Sequence, residues 1–309
     1  MNLQFLKDNK PFGQVLAALL ISVILGIFIS LIGIVLAYPF VDGNVLSRLQ
    51  YMDQMSHSGD LGLMRYFQFI SQLGFFILPA LLTAFLIQKN AFQYLNLNKA
   101  PILLHSIIGL FIIVAANPFS EWLIYQNNLI QLPESLSSIE EWMRNAEAKA
   151  AEMTNTFLEM ESLSDYIINI IMIGIFAAVG EELLLRGILQ PLFIKIFKNA
   201  HAGIWIAAFL FSFIHFQFYG FFARLFMGAI LGYLFLYTRN LWIPIIIHFF
   251  NNAMAVTIVY ITKVPLDSTN LDQMEFSEYG GLYAILSLSL VILGIIFLKK
   301  SSKKSLLSN

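Results

Sequence analysis

Long apolar runs dominate this sequence, and each is long enough to cross a lipid bilayer. A helix rises about 1.5 Å per residue, so about 20 apolar residues span the hydrocarbon core. Inside lipid the backbone polar groups must be satisfied within the segment, which favours helices. The sequence therefore predicts an all-α, polytopic membrane helix bundle of about eight transmembrane helices, over residues 14–38, 66–88, 102–119, 166–193, 202–219, 221–238, 241–262 and 281–298.

The composition agrees with a chain that lies in lipid. Hydrophobic residues make up 58% and charged residues 12%, against about 45–50% and 25% in soluble domains. The sequence has no internal repeat, no low-complexity tract and no soluble domain, so we predict a single membrane domain over 1–309. Cysteine is absent, which excludes disulfides and thiol chemistry. The net charge of −1 says nothing about partners, and the lack of a basic patch argues against a nucleic acid partner.

Basic residues are unevenly distributed between the loops that eight runs would create. With the N-terminus in the cytoplasm, the inner segments 1–13, 89–101, 194–201, 239–240 and 299–309 hold 11 of the 18 Lys and Arg residues and one acid, Asp8. The outer segments 39–65, 120–165 and 263–280 hold five basic and 16 acidic residues. Because positively charged loops stay in the cytoplasm, the pattern predicts a multi-pass protein of the cell membrane with both termini cytoplasmic.

The outer segment 120–165 is the largest polar region. Its stretch 138–160 resembles a short amphipathic helix at the membrane interface. Its weak periodicity nevertheless favours a solvated connector, with a substrate gate as the alternative. Arg224, which opens the sixth run near the outer surface, is expected to snorkel towards the interface.

Ionisable residues inside the apolar runs are the candidate functional groups, because they are costly in lipid and usually mark a site. Glu182 and Arg186 lie four residues apart in the fourth run, a spacing that favours an ion pair on one helix face. Glu181 lies about 100° further round that helix and is free to face another group. The alternative is a purely structural role, in which both glutamates only neutralise Arg186.

Two histidines occupy the fifth and seventh apolar runs. His215 follows Phe211 by four residues, and Asn252 follows His248 by four, so each pair is expected to share a helix face. Counted from the inner basic ends, Glu181, His215, His248 and Asn252 fall roughly 14–21 Å deep, near the middle of the bilayer. We therefore expect them to meet in a polar cavity between helices.

These residues form three motifs, E-E-x-x-x-R, F-x-x-x-H and H-x-x-x-N, in this order on successive apolar segments. The set resembles the CPBP or Abi intramembrane proteases, which include the type 2 CAAX prenyl endopeptidase and bacterial proteins linked to bacteriocin processing and self-immunity. The resemblance places a catalytic core at about 160–262. It implies that Glu181 activates water with help from His215, that His248 and Asn252 stabilise the oxyanion, and that Glu182 and Arg186 form a supporting pair.

Metal dependence stays open at this point. Glu181, His215 and His248 include the donor types of a catalytic zinc site with water in the fourth position. A metal-free glutamate mechanism uses the same side chains with Asn252 as a donor, and we favour it slightly.

The leading hypothesis is an endopeptidase that cleaves a membrane-associated peptide or protein substrate, with the lipid bilayer as its surroundings. The second is a non-catalytic membrane scaffold or bacteriocin-immunity factor. A proton-coupled transporter is the third, and it is disfavoured because the chain lacks the repeated halves and broken-helix pairs of many transporters.

Overall fold

The computed structural model describes residues 4–40, 61–264 and 280–307, and these residues form helices and turns without strands. The predicted all-α polytopic bundle is confirmed, and seven of the described helices are long and apolar enough to cross a membrane. The main helices are α1 Pro11–Ala37, α2 Leu61–Ile87, α3 Leu103–Asn128, α4 Ser137–Leu158, α5 Leu163–Phe197, α6 Ala200–Phe213, α7 Phe221–Thr238, α8 Trp242–Thr262 and α9 Gly280–Leu307.

The fifth predicted span, 202–219, is wrong in its length. Helix α6 ends at Phe213 after 14 residues, so it is about 21 Å long. The chain then turns, with Phe216 in the left-handed region at φ 51°, and α7 begins at Phe221. His215 consequently lies in the turn after α6 and not within a membrane helix.

The outer segment is not the loop that its weak periodicity favoured, and the helix indicated by the stretch 138–160 is present. Residues Ser137–Leu158 form the continuous helix α4. Its surface is mostly polar, and only Glu147, Ala151 and Leu158 are buried. These residues are spaced four and seven apart, so they lie along one face of the helix. That face packs onto the bundle, which explains why a weakly periodic segment is helical here.

Helix α5 is the centre of the molecule. Its residues Leu183, Leu185, Ile188 and Leu192 are almost completely buried in the largest apolar cluster, with contributions from α1, α2, α6 and the start of α8. At Gly203 of α6 a Cβ atom would lie 2.7 Å from the Ile194 backbone nitrogen. Glycine at this point therefore allows α6 to pack closely against the end of α5.

Two stretches of π-helix interrupt α5, at Ile170–Phe176 and Leu183–Leu189. The ordinary α-helical segment Ala177–Glu182 lies between them and ends with the two glutamates. Each wider turn shifts the helix phase, and π segments often occur at functional sites. Glu181 and Glu182 thus lie on regular helix, but the wider turns on either side of them set their direction relative to the rest of α5, which the 3.6-residue pattern does not predict.

Candidate functional site

Helix α5 directs its two adjacent glutamates to different surroundings. Glu181 is 7% exposed and lines a cavity of about 680 Å³. Glu182 is 0% exposed and lies in the protein interior. The helical offset of about 100° between neighbouring residues produces this difference. One carboxylate can therefore reach a bound molecule, and the other can reach only protein groups.

One carboxylate oxygen of Glu182 is in hydrogen-bond contact with two residues. Its Oε1 accepts a hydrogen bond from Arg186 Nη1 at 2.5 Å and lies 2.9 Å from His248 Nδ1 on α8. Arg186 is itself fully buried, and its Nη2 donates to the backbone carbonyl of Gly228 on α7 at 3.0 Å. The ion pair predicted from the four-residue spacing is thus present, and it also connects α5 to α7 and α8.

The contact with Glu182 determines how His248 is oriented. An ionised carboxylate only accepts hydrogen bonds, so Nδ1 of His248 carries the proton in this contact. The other ring nitrogen, Nε2, is 3.7 Å from Oε2 of Glu181. His248 therefore lies between the two glutamates, with its Nε2 directed to the glutamate that lines the cavity.

His215 reaches the same cavity from the turn after α6. Its Nδ1 lies 2.7 Å from the carbonyl oxygen of Phe211, so this nitrogen donates and Nε2 is left for other partners. The Phe211 ring lies edge-on to both His215 and His248, at centroid distances of 5.0 and 5.9 Å. The guanidinium of Arg186 lies 5.1 Å from the same ring centroid. Phe211 thus packs against three of the candidate residues at once.

Asn252 lies one helical turn beyond His248 on α8 and lines the cavity. Its Nδ2 donates to the carbonyl of Ile173 at 3.0 Å. Ile173 belongs to the first π-helical stretch of α5. An amide nitrogen carries two protons, so one N–H orients the side chain and the second is left to donate to a bound group.

Four of the six candidate residues therefore surround one cavity, namely Glu181, His215, His248 and Asn252. Glu182 and Arg186 lie behind them in the interior. The cavity opens between helices of both halves of the chain and has more apolar than polar lining. Its other lining residues include Gln68, Ile113, Asn117, Ser120, Glu121, Ile124, Met153, Thr154, Phe157, Met172, Ala223, Arg224, Met227, Leu231 and Asn251.

Sequence reasoning missed several polar residues of this lining. Asn117, Ser120 and Glu121 of α3 line the cavity, and their spacing of three and four residues is a signal that places them on one helix face. Arg224 also lines the cavity, and its Nη1 donates to Gln217 Oε1 at 3.0 Å. Arg224 is half-buried at the start of α7, where Gln217 holds its guanidinium, and its snorkelling to the interface stays a prediction.

A metal site is not assembled by the described residues. The remaining Nε2 atoms of both histidines would suit a metal ligand, since such histidines usually donate their other N–H to a carboxylate or carbonyl. However, no group of three or more His, Asp or Glu residues in the described part of the chain is placed to hold a metal ion. The arrangement therefore does not fit a three-ligand zinc site, and no chemical step is assigned to a metal.

Carboxylates, imidazoles and an amide around one cavity in a multi-pass helix bundle are the groups that an intramembrane hydrolase uses. Residues 163–254 match the family model described as type II CAAX prenyl endopeptidase, Rce1-like. The match confirms the predicted resemblance to the CAAX proteases, and its range covers α5, α6, α7 and α8 up to Met254. No curated protein and no solved structure gives a significant match to the chain.

Proposed function

We propose that this protein is an intramembrane endopeptidase that hydrolyses a peptide bond in a membrane-associated peptide or protein tail. The observation that carries the proposal is that Glu181 and both histidines face one cavity inside a membrane bundle. The match of residues 163–254 to a family of prenyl endopeptidases supports the same reaction.

In the proposed reaction Glu181 acts as general base, since a carboxylate that lines the cavity can accept a proton from a bound water. The water oxygen attacks the peptide carbonyl carbon, and the carbonyl oxygen becomes an oxyanion. As the intermediate collapses, the C–N bond breaks and the proton on Glu181 passes to the leaving nitrogen. His215 orients the water through its Nε2, because its Nδ1 is engaged by Phe211.

In this proposal His248 and Asn252 stabilise the oxyanion by donating hydrogen bonds to it. His248 donates from Nε2 when its ring carries both protons, and the Glu182 carboxylate holds Nδ1 in place. Asn252 supplies its second amide N–H, while the first is held by Ile173. Donors that are fixed before the reaction and lie in a low-dielectric site contribute more than they would in water.

The substrate is expected to be largely apolar near the scissile bond. Apolar side chains from α3, α4, α5 and α7 line much of the cavity, among them Ile113, Met153, Phe157, Met172 and Met227. Prenylated CAAX tails are the substrates named by the matched family, and a membrane-anchored tail of this kind suits an apolar cavity. We further propose that the protein lies in the cell membrane with both termini in the cytoplasm, on the basis of its basic inner loops.

The test compares membrane-protein termini in cells that produce the wild type, Glu181→Gln or Glu161→Gln. Gln is nearly the same shape as Glu but accepts no proton, so Glu181→Gln should lower cleavage about 10²- to 10⁴-fold. Glu161 is exposed outside the site, and its substitution should leave every terminus unchanged.

Unchanged termini in folded Glu181→Gln would refute the protease and favour a scaffold or immunity factor. The purified wild type is assayed in parallel after strict chelation. Retained turnover supports the metal-free mechanism that we propose, whereas loss of turnover with restoration by zinc refutes it.

A further inference from the structure

The outer helix α4 forms part of the cavity wall. Met153, Thr154 and Phe157, near its C-terminal end, line the cavity together with Glu181 and His215. Phe157 also accepts a hydrogen bond through its backbone carbonyl from Asn169 of α5 at 2.6 Å. Helix α4 is therefore fixed to the bundle beside the candidate active site.

The other half of α4 contacts the turn that carries His215, residues 214–220. Trp142 packs against Phe218 with ring centroids 5.1 Å apart. The guanidinium of Arg144 lies 5.0 Å from the ring centroid of Tyr219. These contacts place the N-terminal half of α4 directly on the His215 turn.

Glu147 makes the most specific contact of α4 with this turn. It is 8% exposed, and its Oε2 accepts a hydrogen bond from the Tyr219 backbone N–H at 3.1 Å. Glu147 also attracts the Arg224 guanidinium, which donates to Gln217 in the same turn. Glu147 thus bonds the turn directly at Tyr219, and its charge also favours the arginine that holds Gln217.

Other side chains hold the turn from its remaining sides. Asn127 of α3 donates through Nδ2 to the carbonyls of Phe218 and Tyr219 at 2.5 and 2.8 Å. Ser212 of α6 donates to the carbonyl of Phe221 at 2.7 Å. Because these side chains bond backbone groups of an irregular segment that lacks regular helix partners, the position of His215 depends on side chains outside the three motifs.

We propose that Glu147 is a positioning residue for His215, so that the outer helix α4 helps to set the geometry of the active site. The inference rests on the proposed protease function. Glu147 itself is not among the described residues that line the cavity, so it acts through the turn and does not touch the substrate. Removing its carboxylate frees the Tyr219 N–H and allows His215 to move relative to Glu181.

The experiment compares Glu147→Ala, Glu147→Gln and Glu147→Asp with the wild type and with the control Glu141→Ala. Glu141 is an exposed residue of the same helix. Turnover is measured with a synthetic peptide that spans the bond identified by the Glu181→Gln comparison. Hydrogen exchange followed by mass spectrometry reports on the segment 214–222, which includes the Tyr219 amide.

We expect Glu147→Ala to lower kcat about 10- to 100-fold, since a displacement of about 1 Å can cost 100-fold. KM should change less than about twofold, because a positioning residue acts on the bound complex. Exchange in 214–222 should become faster. Glu147→Gln keeps an acceptor for the Tyr219 N–H and should retain most of the turnover, Glu147→Asp should lie between, and Glu141→Ala should match the wild type.

Three results would overturn the inference while leaving the protease function intact. These are unchanged turnover in Glu147→Ala, a rise in KM with unchanged kcat, and a fall in turnover without faster exchange in 214–222. If Glu147→Ala does not fold, Glu147→Asp is compared with the wild type by the same measurements. Equal cleavage by the wild type and Glu181→Gln is a different outcome, because it refutes the protease function and this inference together.

Discussion

Replacement of Arg186 by Met should destabilise the protein strongly, because it leaves Glu182 buried without its counter-charge. Both side chains are fully buried, and they are joined by a 2.5 Å contact between Arg186 Nη1 and Glu182 Oε1. Removal of one partner of a buried pair costs about 3–5 kcal/mol. The Gly228 carbonyl also loses its donor from Arg186, which adds about 1 kcal/mol.

The assay is the free energy of unfolding in mixed micelles, obtained by titration with a denaturing detergent and followed by circular dichroism. Arg186→Met should lose about 4–6 kcal/mol in total. The matched control is Arg239→Met, which removes an exposed arginine at the end of α7. Its effect should stay within about 0.5 kcal/mol.

A double variant separates charge from packing. Glu182→Leu with Arg186→Met removes both charges and should be at least about 2 kcal/mol more stable than Arg186→Met alone, since apolar replacement of a whole buried pair is often neutral. It should nevertheless stay inactive, because His248 Nδ1 loses the Glu182 oxygen at 2.9 Å. The reasoning fails if Arg186→Met is as stable as the wild type, or if the double variant is no more stable than the single one.

Two further predictions concern the oxyanion and the packing of α6. Asn252→Ala should lower kcat about 10²- to 10³-fold as an oxyanion donor is lost, whereas Asn251→Ala, beside it on the same cavity, should have a much smaller effect; equal losses in single-turnover assays would contradict the assignment. Gly203→Ala should cost about 1–3 kcal/mol by overpacking, since a Cβ would lie 2.7 Å from the Ile194 nitrogen. Gly62→Ala, with no atom within 4 Å of the added Cβ, should be nearly neutral, and equal unfolding midpoints for the two variants would refute the packing argument.

The apolar runs predicted the fold because bilayer thickness sets helix length, which is a local property of the sequence. The same rule failed at 202–219, where the hydrophobic run continues but the helix ends at Phe213. Apolar residues such as Phe216 continue the pattern, yet Phe216 adopts a left-handed conformation that reverses the chain. Hydropathy does not register this turn, because it measures transfer into lipid and not backbone conformation.

The candidate site was predictable only in part. Helical spacing predicted the Glu182–Arg186 pair, because both residues lie on one helix. It did not predict that Glu182 also bonds His248, 66 residues further along the chain, or that α4 and α3 complete the cavity. Such contacts depend on how helices pack. In addition, the two π-helical stretches of α5 change the direction of the side chains that follow them, which a regular 3.6-residue period does not predict.

The two adjacent glutamates differ in what their substitution can reveal. Glu182 bonds Arg186 on its own helix and His248 on α8, so a change there alters stability and site geometry together. Glu181 faces the cavity, and its nearest ionic partner is His248 Nε2 at 3.7 Å, longer than a hydrogen bond. Glu181→Gln therefore removes the proposed base while leaving the interior network of Glu182 and Arg186 in place. For this reason an activity loss at Glu182 says little about chemistry, whereas a loss at Glu181 in folded protein tests the mechanism directly.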